Sequence, residues 1–270
     1  MPWHSDLALS RRLERAEATA NARFVEARAL VFPGCGAGWI EVAGAYAMFD
    51  GPDSPCTQTF ALGLFEMPLP EDMDRIESFF EERGAAVFHE VSPLADRRIL
   101  SLMTARGYSP FELSNVLCLP LEEEILLAPD KSVSVCLVED GEREIWARAA
   151  AEGWSDHAEV SGLLPGVMRV MCARRDNFTF LARIEGHPVA AASLAIHERV
   201  ALLAGASTIP EWRRRGAQLA LLEARLSHAR QSGCDVAMIA AEPGSATQRN
   251  VERLGFRLAY TRIKWGRELN

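Results

Sequence analysis

The sequence predicts a mixed α/β (α+β) protein built as two tandem domains, each a mixed, mostly antiparallel sheet flanked by helices. Three observations carry this expectation. Apolar runs of strand length alternate with amphipathic runs of helix length along all 270 residues. Between residues 178 and 204 the apolar runs are separated by short turns, Glu185-Gly186-His187-Pro188 and His197-Glu198-Arg199, the pattern of an antiparallel meander. The same order of elements, helix, glycine stop, strand, helix, Gly-aromatic stop and strand, also occurs twice.

In the first half, residues 7–30 read as a charged amphipathic helix. The run Gly34-Cys35-Gly36-Ala37-Gly38 precedes a strand pattern over 39–49 instead of a helix, so it reads as a flexible turn and not as a nucleotide loop. A turn at 51–55 leads to a strand pattern over 57–66. A helix with Met73, Ile76 and Phe80 on one face then ends at Gly84, and a strand pattern covers 85–91. Residues 95–106 read as helix, Gly107-Tyr108 as its stop, and 111–119 as strand. The acidic segment 120–131 is the expected linker, giving domains 1–125 and 131–270.

The second half opens with a strand over 133–138, a helix over 142–152, a polar loop over 153–162 and a helix over 166–174. Strands follow over 178–184, 189–196 and 200–204, joined by turns at 185–188 and 197–199. After a loop and a helix, Gly233 is a stop, 235–241 a strand, 245–254 a helix closed by Gly255-Phe256, and 257–265 the last strand. Gly84 and Gly107 lie 23 residues apart and Gly233 and Gly255 lie 22 apart, which puts the two copies in register.

The chemistry concentrates where a strand runs through Ser207-Thr208-Ile209-Pro210 into Arg213-Arg214-Arg215-Gly216-Ala217-Gln218 and a helix starts at once. Unpaired N–H groups at a helix N-terminus attract anionic oxygens, and a glycine lets backbone approach a pyrophosphate. The equivalent place in the first copy, 67–72, has no glycine and no arginine and carries Glu71 and Asp72, which would repel an anion. Charge follows the same division. Residues 1–130 hold 10 Arg and no Lys against 21 acids, a balance of −11, while 131–270 hold 19 bases against 16 acids, a balance of +3.

The loop and the order of elements around it resemble the GNAT acyltransferases, whose loop reads R/Q-x-x-G-x-G/A. Arg213 and Gly216 match the first and fourth positions, and Gln218 departs from the sixth, so the loop must accommodate a longer side chain there. The resemblance implies acetyl-CoA as co-substrate. It assigns the pyrophosphate to Arg213, Arg214, Arg215, Gly216, Ala217 and Gln218, and the pantetheine to the strand at Ala206, Ser207 and Thr208, with a bulge near Gly205. Ser245 and Asn250 lie on the helix beside the expected cofactor.

The same resemblance exposes two departures. A tyrosine common in the family near the sulfur is here Val251, and the fourth strand, Leu202-Leu203-Ala204-Gly205-Ala206, carries no carboxylate. Candidate substitutes are Glu242 at a strand end, Asp156, His157 and Glu159 in the polar loop, and Tyr260 in the last strand. The implied activity is transfer of an acetyl group to a primary amine of a small molecule or peptide, and the alternative is an acyl-CoA-binding module without catalysis. Other classes find no support. Six cysteines without a C-x-x-C pair and six histidines without metal-ligand spacing argue against a metal or a disulfide framework. The acidic balance of −8 argues against nucleic acid, and the lack of a long apolar run argues against a membrane span or leader. A cytoplasmic monomer or homodimer is expected.

Overall fold

The computed structural model describes residues 4–122, 130–156, 162 and 164–267. In chain order the first elements are α1 (Leu7–Val31), β1 (Gly38–Val42), β2 (Ala45–Phe49), β3 (Gln58–Phe60), α2 (Pro70–Glu81), β4 (Val87–Val91), α3 (Arg98–Ala105) and β5 (Ser109–Pro120). Next come β6 (Val133–Leu137), α4 (Arg143–Gly153), α5 (Leu164–Ala173), β7 (Asn177–Ile184), β8 (His187–His197), β9 (Val200–Thr208) and α6 (Ala217–Gln231). The chain ends with β10 (Val236–Ala241), α7 (Ala246–Glu252) and β11 (Arg257–Arg267). By packing it forms two compact units, one of Met1–Leu119 with Met238–Asn270 and one of Pro120–Ala237. The order of repeated elements groups 131–270 together, whereas packing groups 238–270 with the first unit. Strand pairing is the reason.

In the first unit the strand order is β1-β2-β3-β4-β11-β5-β10. The last strand of the chain lies between β4 and β5 and is antiparallel to both, with Ile263 opposite Val91 and Leu113. One parallel pair, β3 with β4 at Thr59 and His89, makes the sheet mixed. Alternation decides the two faces. Ala45, Ala47 and Phe49 of β2 and Trp265 of β11 pack with Met73, Ile76 and Phe80 of α2 and Ile99 and Met103 of α3. Met48 and Phe60 turn the other way, against Ala18, Ala22 and Val25 of α1. Each such fully buried large side chain contributes about 1.5–3 kcal/mol. Asp6 caps α1 by accepting from Leu9 N–H at 2.8 Å.

Two elements differ from the sequence reading. Residues 39–49 form the hairpin β1-β2 and not one strand, because Ala43 and Gly44 both take left-handed φ (48° and 75°) and reverse the chain. The strand expected over 57–66 is only β3, since Ala61 (φ 63°) and Gly63 (φ 72°) break the extension after Phe60.

The second unit holds the antiparallel meander β6-β7-β8-β9. Trp146, Ala149 and Ala150 of α4 and Met168 of α5 pack with Leu181 and Ala191 on one face. Phe178 and Phe180 point to the other, against His228 of α6. Helix α5 begins at Leu164, two residues before the expected start, with Pro165 in its first turn where a missing N–H costs nothing.

The repeat is visible in the hydrogen bonds. Ala85 N–H donates to Phe80 O, Tyr108 to Met103 O, Cys234 to Ala229 O and Phe256 to Val251 O, all at 3.0 to 3.1 Å. These are four copies of one six-residue helix stop, and Gly84, Gly107, Gly233 and Gly255 supply the left-handed residue in each. A Cβ at Gly107 (φ 81°) meets no atom within 4 Å, so its conformation alone requires glycine. Gly107→Ala should therefore lower the unfolding free energy by about 1 kcal/mol, whereas Gly38→Ala, at an open strand position without positive φ, should change it by less than about 0.5 kcal/mol. Urea denaturation of the two variants measures the difference.

Candidate functional site

The basic loop of the second unit is a rigid piece of backbone. After β9, a 3-10 turn over Pro210–Trp212 leads to Arg213 in extended conformation, Arg214 at φ 63° and Gly216 at φ 82°, and Gly216 is the N-cap of α6. The first N–H groups of α6 have no intrahelical acceptor and face outward from the positive end of the helix dipole. A Cβ on Gly216 would stand 3.2 Å from Asp130 Cβ, in addition to the cost of its φ.

Arg213 is exposed, but its guanidinium is tied back onto the protein. Its guanidinium makes a two-pronged pair with Asp156 at 2.6 and 2.9 Å and donates to Gly153 O and Thr208 O at 3.2 Å each. The carboxylate of Asp156 favours the charged guanidinium. Two further contacts brace the same corner. Ser207 Oγ donates to Ala150 O at 3.0 Å, and an added Cβ on Gly153 would fall 2.4 Å from Ser207 Oγ, so only glycine lets α4 end so close to β9. Gln218 Nε2 donates to Thr208 Oγ1 at 2.7 Å, which is how the loop accommodates the longer side chain at its sixth position. Arg215 lies over the Trp212 ring at 4.8 Å. Arg214 is exposed, with no ion pair among the described residues.

Strand β9 carries the expected bulge. Ala191 pairs with Ser207 and Ser193 with Ala204, so β9 has one residue more than β8 at Gly205-Ala206, and Gly205 takes φ 59°. Ala204 and Gly205 are exposed although Leu202, Leu203, Ser207 and Thr208 around them are buried.

The structure thus gathers Asp156, Ala206, Ser207, Thr208 and Arg213 to Gln218 in one corner of the second unit. His157 and Glu159 lie outside the described residues. Glu242, Ser245, Asn250 and Tyr260 belong to the first unit. Ser245 caps α7 by accepting from Gln248 N–H at 3.2 Å, and exposed Asn250 accepts from Arg253 at 3.5 Å. Val251, standing where the family carries a tyrosine, is buried.

Tyr260 is buried and donates its hydroxyl to Glu14 at 2.9 Å. It belongs to a polar layer between α1 and the sheet of the first unit, which sequence reasoning missed. Ser10, Glu14, Glu17 and Asn21 recur at spacings of four, three and four on one face of α1. Tyr260, Arg262 and Lys264 alternate on β11. Two polar stripes at core periods were the available signal. Arg262, 1% exposed, reaches Glu17 at 2.8 Å, Glu90 at 3.4 Å and Glu14 at 3.5 Å. Burial opposes its charge, but the three carboxylates around it hold it firmly as a cation. Burial pushes the Glu14 carboxyl up to about 7 against the pull of Arg262, and raises Glu90 as well. Beside this layer is an open pocket of about 320 Å³ lined by Glu17, Gln58, Glu90, Glu242 and Arg262 among others. Glu242 stands exposed at its rim.

Residues 140–256 match the model of the acetyltransferase (GNAT) family. No curated protein matches the chain by sequence. Among solved structures, the chain is similar to a GCN5-related N-acetyltransferase from Kribbella flavida, with 18% identity, TM-score 0.65 and coverage of 94% of this chain and 96% of that one. It is similar also to a GCN5-related N-acetyltransferase from Sphaerobacter thermophilus (17%, TM-score 0.57, 83% and 76%). A third is a tandem GNAT protein from the clavulanic acid biosynthesis pathway (14%, TM-score 0.58, 99% and 97%). At these identities the structures show a shared fold, that of a tandem GNAT protein. Among the described residues no helix is long and apolar enough to cross a membrane, and no group of three or more His, Cys, Asp or Glu could hold a metal.

The raised Glu14 gives a pH test. In the folded chain Glu14 keeps its proton up to about 7, whereas the unfolded chain loses it near 4.5, so between these values the native state binds more protons and this contribution to stability falls as pH rises. Glu14→Gln cannot ionise. Its unfolding free energy, followed in urea from pH 4.5 to 7.5, should fall less than that of the unaltered chain, and equal slopes would show that Glu14 does not titrate in this window.

Proposed function

We propose that the chain is an acyl-CoA-dependent N-acyltransferase, most simply one that moves an acetyl group from acetyl-CoA to a primary amine of a small molecule or peptide by direct transfer in a ternary complex. The observation that carries this reading is the Gly216-capped N-terminus of α6, held by the Arg213–Asp156 pair within the residues that match the GNAT family. Acetyl-CoA would supply an activated acyl carbonyl.

The backbone N–H groups of residues 214–218 would hold its pyrophosphate, with the free charges of Arg214 and Arg215 added. Arg213 and Asp156 fix the loop. The β9 backbone at Ala206 and Thr208 would pair with the pantetheine amides, and the bulge at Gly205-Ala206 frees an N–H to polarise the carbonyl oxygen. Ser245 and Asn250 are proposed as flanking contacts. Glu242, with no partner for its carboxylate among the described residues, is the proposed base for the acceptor's proton, with His157 and Glu159 as alternatives. Water would protonate the departing thiolate, since Val251 offers no proton.

The repeat supports reading 131–270 as the copy that carries the cofactor loop and 1–125 as the copy that lost it, hence one acyl-CoA per chain. Six cysteines spread along the sequence without a C-x-x-C pair suit a reducing cytoplasm. Buried Val251 and the carboxylate-free β9 favour a second reading, a non-catalytic acyl-CoA-binding module. Release of free thiol from acetyl-CoA across a panel of amines supports the first reading; tight binding without release supports the second.

Two variants test the roles. Gly216→Asp places a carboxylate and a Cβ in the cradle and should weaken CoA binding at least about tenfold, while Arg214→Ala removes one screened charge and should cost about twofold to fivefold. Titration calorimetry should give one CoA per chain, and comparable losses would mean that the backbone is not the cradle. Glu242→Gln should lower turnover by about 10²-fold or more with CoA affinity unchanged. A variant keeping more than half of the turnover would exclude Glu242 as the base.

A further inference from the structure

Resting on the acyl-CoA reading above, we infer that Ser193 is a positioning residue for the acyl carbonyl, acting through the peptide group between Ala204 and Gly205, with the buried cation of Arg225 behind it. Ser193 is the one polar residue in the apolar run 189–196 of β8, and it is 2% exposed. Its hydroxyl donates to Ala204 O at 3.1 Å, across the last strand pair before the bulge. A Cβ on Gly205 would stand 3.3 Å from Ser193 Oγ, so the hydroxyl lies directly behind the bulge.

Ala204 O and Gly205 N–H belong to one planar trans peptide and point in opposite directions. Holding the oxygen toward β8 therefore aims the N–H away from β8, on a residue that is exposed. This makes Gly205 N–H the bulge donor of the mechanism above. The hydroxyl also acts on its strength. A donor on a peptide carbonyl polarises that peptide, and its N–H becomes a better donor in turn.

The second observation is a charge that the fold does not explain. Arg225 shares the buried side of α6 with Leu221, Leu222 and Leu226 and is 3% exposed. Among the described residues it pairs with no carboxylate. Its guanidinium donates instead to Leu221 O at 3.1 Å and to Ser193 O at 3.2 Å. Burial brings its ionisation down to about 10, which leaves it a cation at neutral pH. A buried cation without a counter-charge is costly. Negative charge developing on an acyl oxygen at the bulge would supply one, and Arg225 holds the same residue whose hydroxyl braces that bulge.

The test reads the carbonyl itself. Acetyl-CoA isotope-labelled at its acetyl carbonyl carbon, bound to the full chain without an amine, is followed by difference infrared spectroscopy, and binding should lower its carbonyl stretch. Ser193→Ala should lose at least about half of that lowering while its Kd for acetyl-CoA, from calorimetry, stays within about threefold. Arg225→Met should move the band the same way, and Ser134→Ala, at an exposed position of β6, should leave it in place. If Arg225→Met loses its cooperative unfolding transition, Ser193→Ala decides alone. With an amine that gives thiol release, Ser193→Ala should lower kcat about tenfold, less than the roughly 10²-fold of losing an oxyanion donor itself, with KM for acetyl-CoA within about twofold. A band in the same place for Ser193→Ala, or for a folded Arg225→Met, as for the unaltered chain would overturn this inference and leave the acyl-CoA reading standing. Failure of acetyl-CoA to bind would overturn both. A band that depends on Ser193 without thiol release would remove the transferase reading and leave this one.

Discussion

The first unit is organised around the guanidinium of Arg262. It sits on the last strand of the chain, between β4 and β5, and meets carboxylates from α1 and β4. A buried charge of this kind is tolerated only when paired, and removing one side of such an arrangement typically costs about 3–5 kcal/mol. The constraint therefore works on register more than on net stability. Shifting β11 by one residue would turn Arg262 into the apolar face with Trp265 and turn Ile263 toward α1. A chain end far in sequence from α1 is thereby fixed in one place, and its strand joins the first unit despite following the second.

The same layer carries a cost. Burial holds the Glu14 and Glu90 carboxyls above their usual range against the pull of Arg262, so the layer keeps protons that solvent-exposed carboxylates would have lost. Apolar packing of the same volume would have been at least as stable. Several buried polar atoms of the first unit, Arg262 Nε and Gln58 Oε1 among them, have no hydrogen-bond partner, a local inconsistency that close apolar packing would not carry.

The second unit solves the opposite problem, exposing backbone without losing its shape. A loop that presents unpaired N–H groups would lose them to rearrangement unless its own geometry were fixed from behind. Arg213 to Asp156, Gln218 to Thr208, Ser207 to Ala150 and the close seat of Gly153 do this from four directions. Among the departures from the family pattern, Gln218 and the missing carboxylate on β9 are thus unequal. Gln218 has a structural use, whereas nothing on β9 replaces the carboxylate.

Local signals made much of this legible. The four glycine stops, the turn residues between β7, β8 and β9, and the strand-loop-helix around Gly216 are decided within six or so residues, and they stood in the sequence with their physical reasons attached. The β1-β2 hairpin was missed because Ala43 in a left-handed turn carries no signal of its own. Partnership across long separations was beyond reach. Nothing near Arg262 names Glu14, nearly 250 positions away, and nothing near Gln58 announces an open pocket beside it. The sequence by itself determined most element types, the repeat and the basic strand-loop-helix around Gly216, because backbone conformation and helix ends answer to neighbouring residues. Only the tertiary structure decided where β11 goes, which charges are buried and which buried polar atoms are left without a partner, because those depend on which distant faces must be removed from water together.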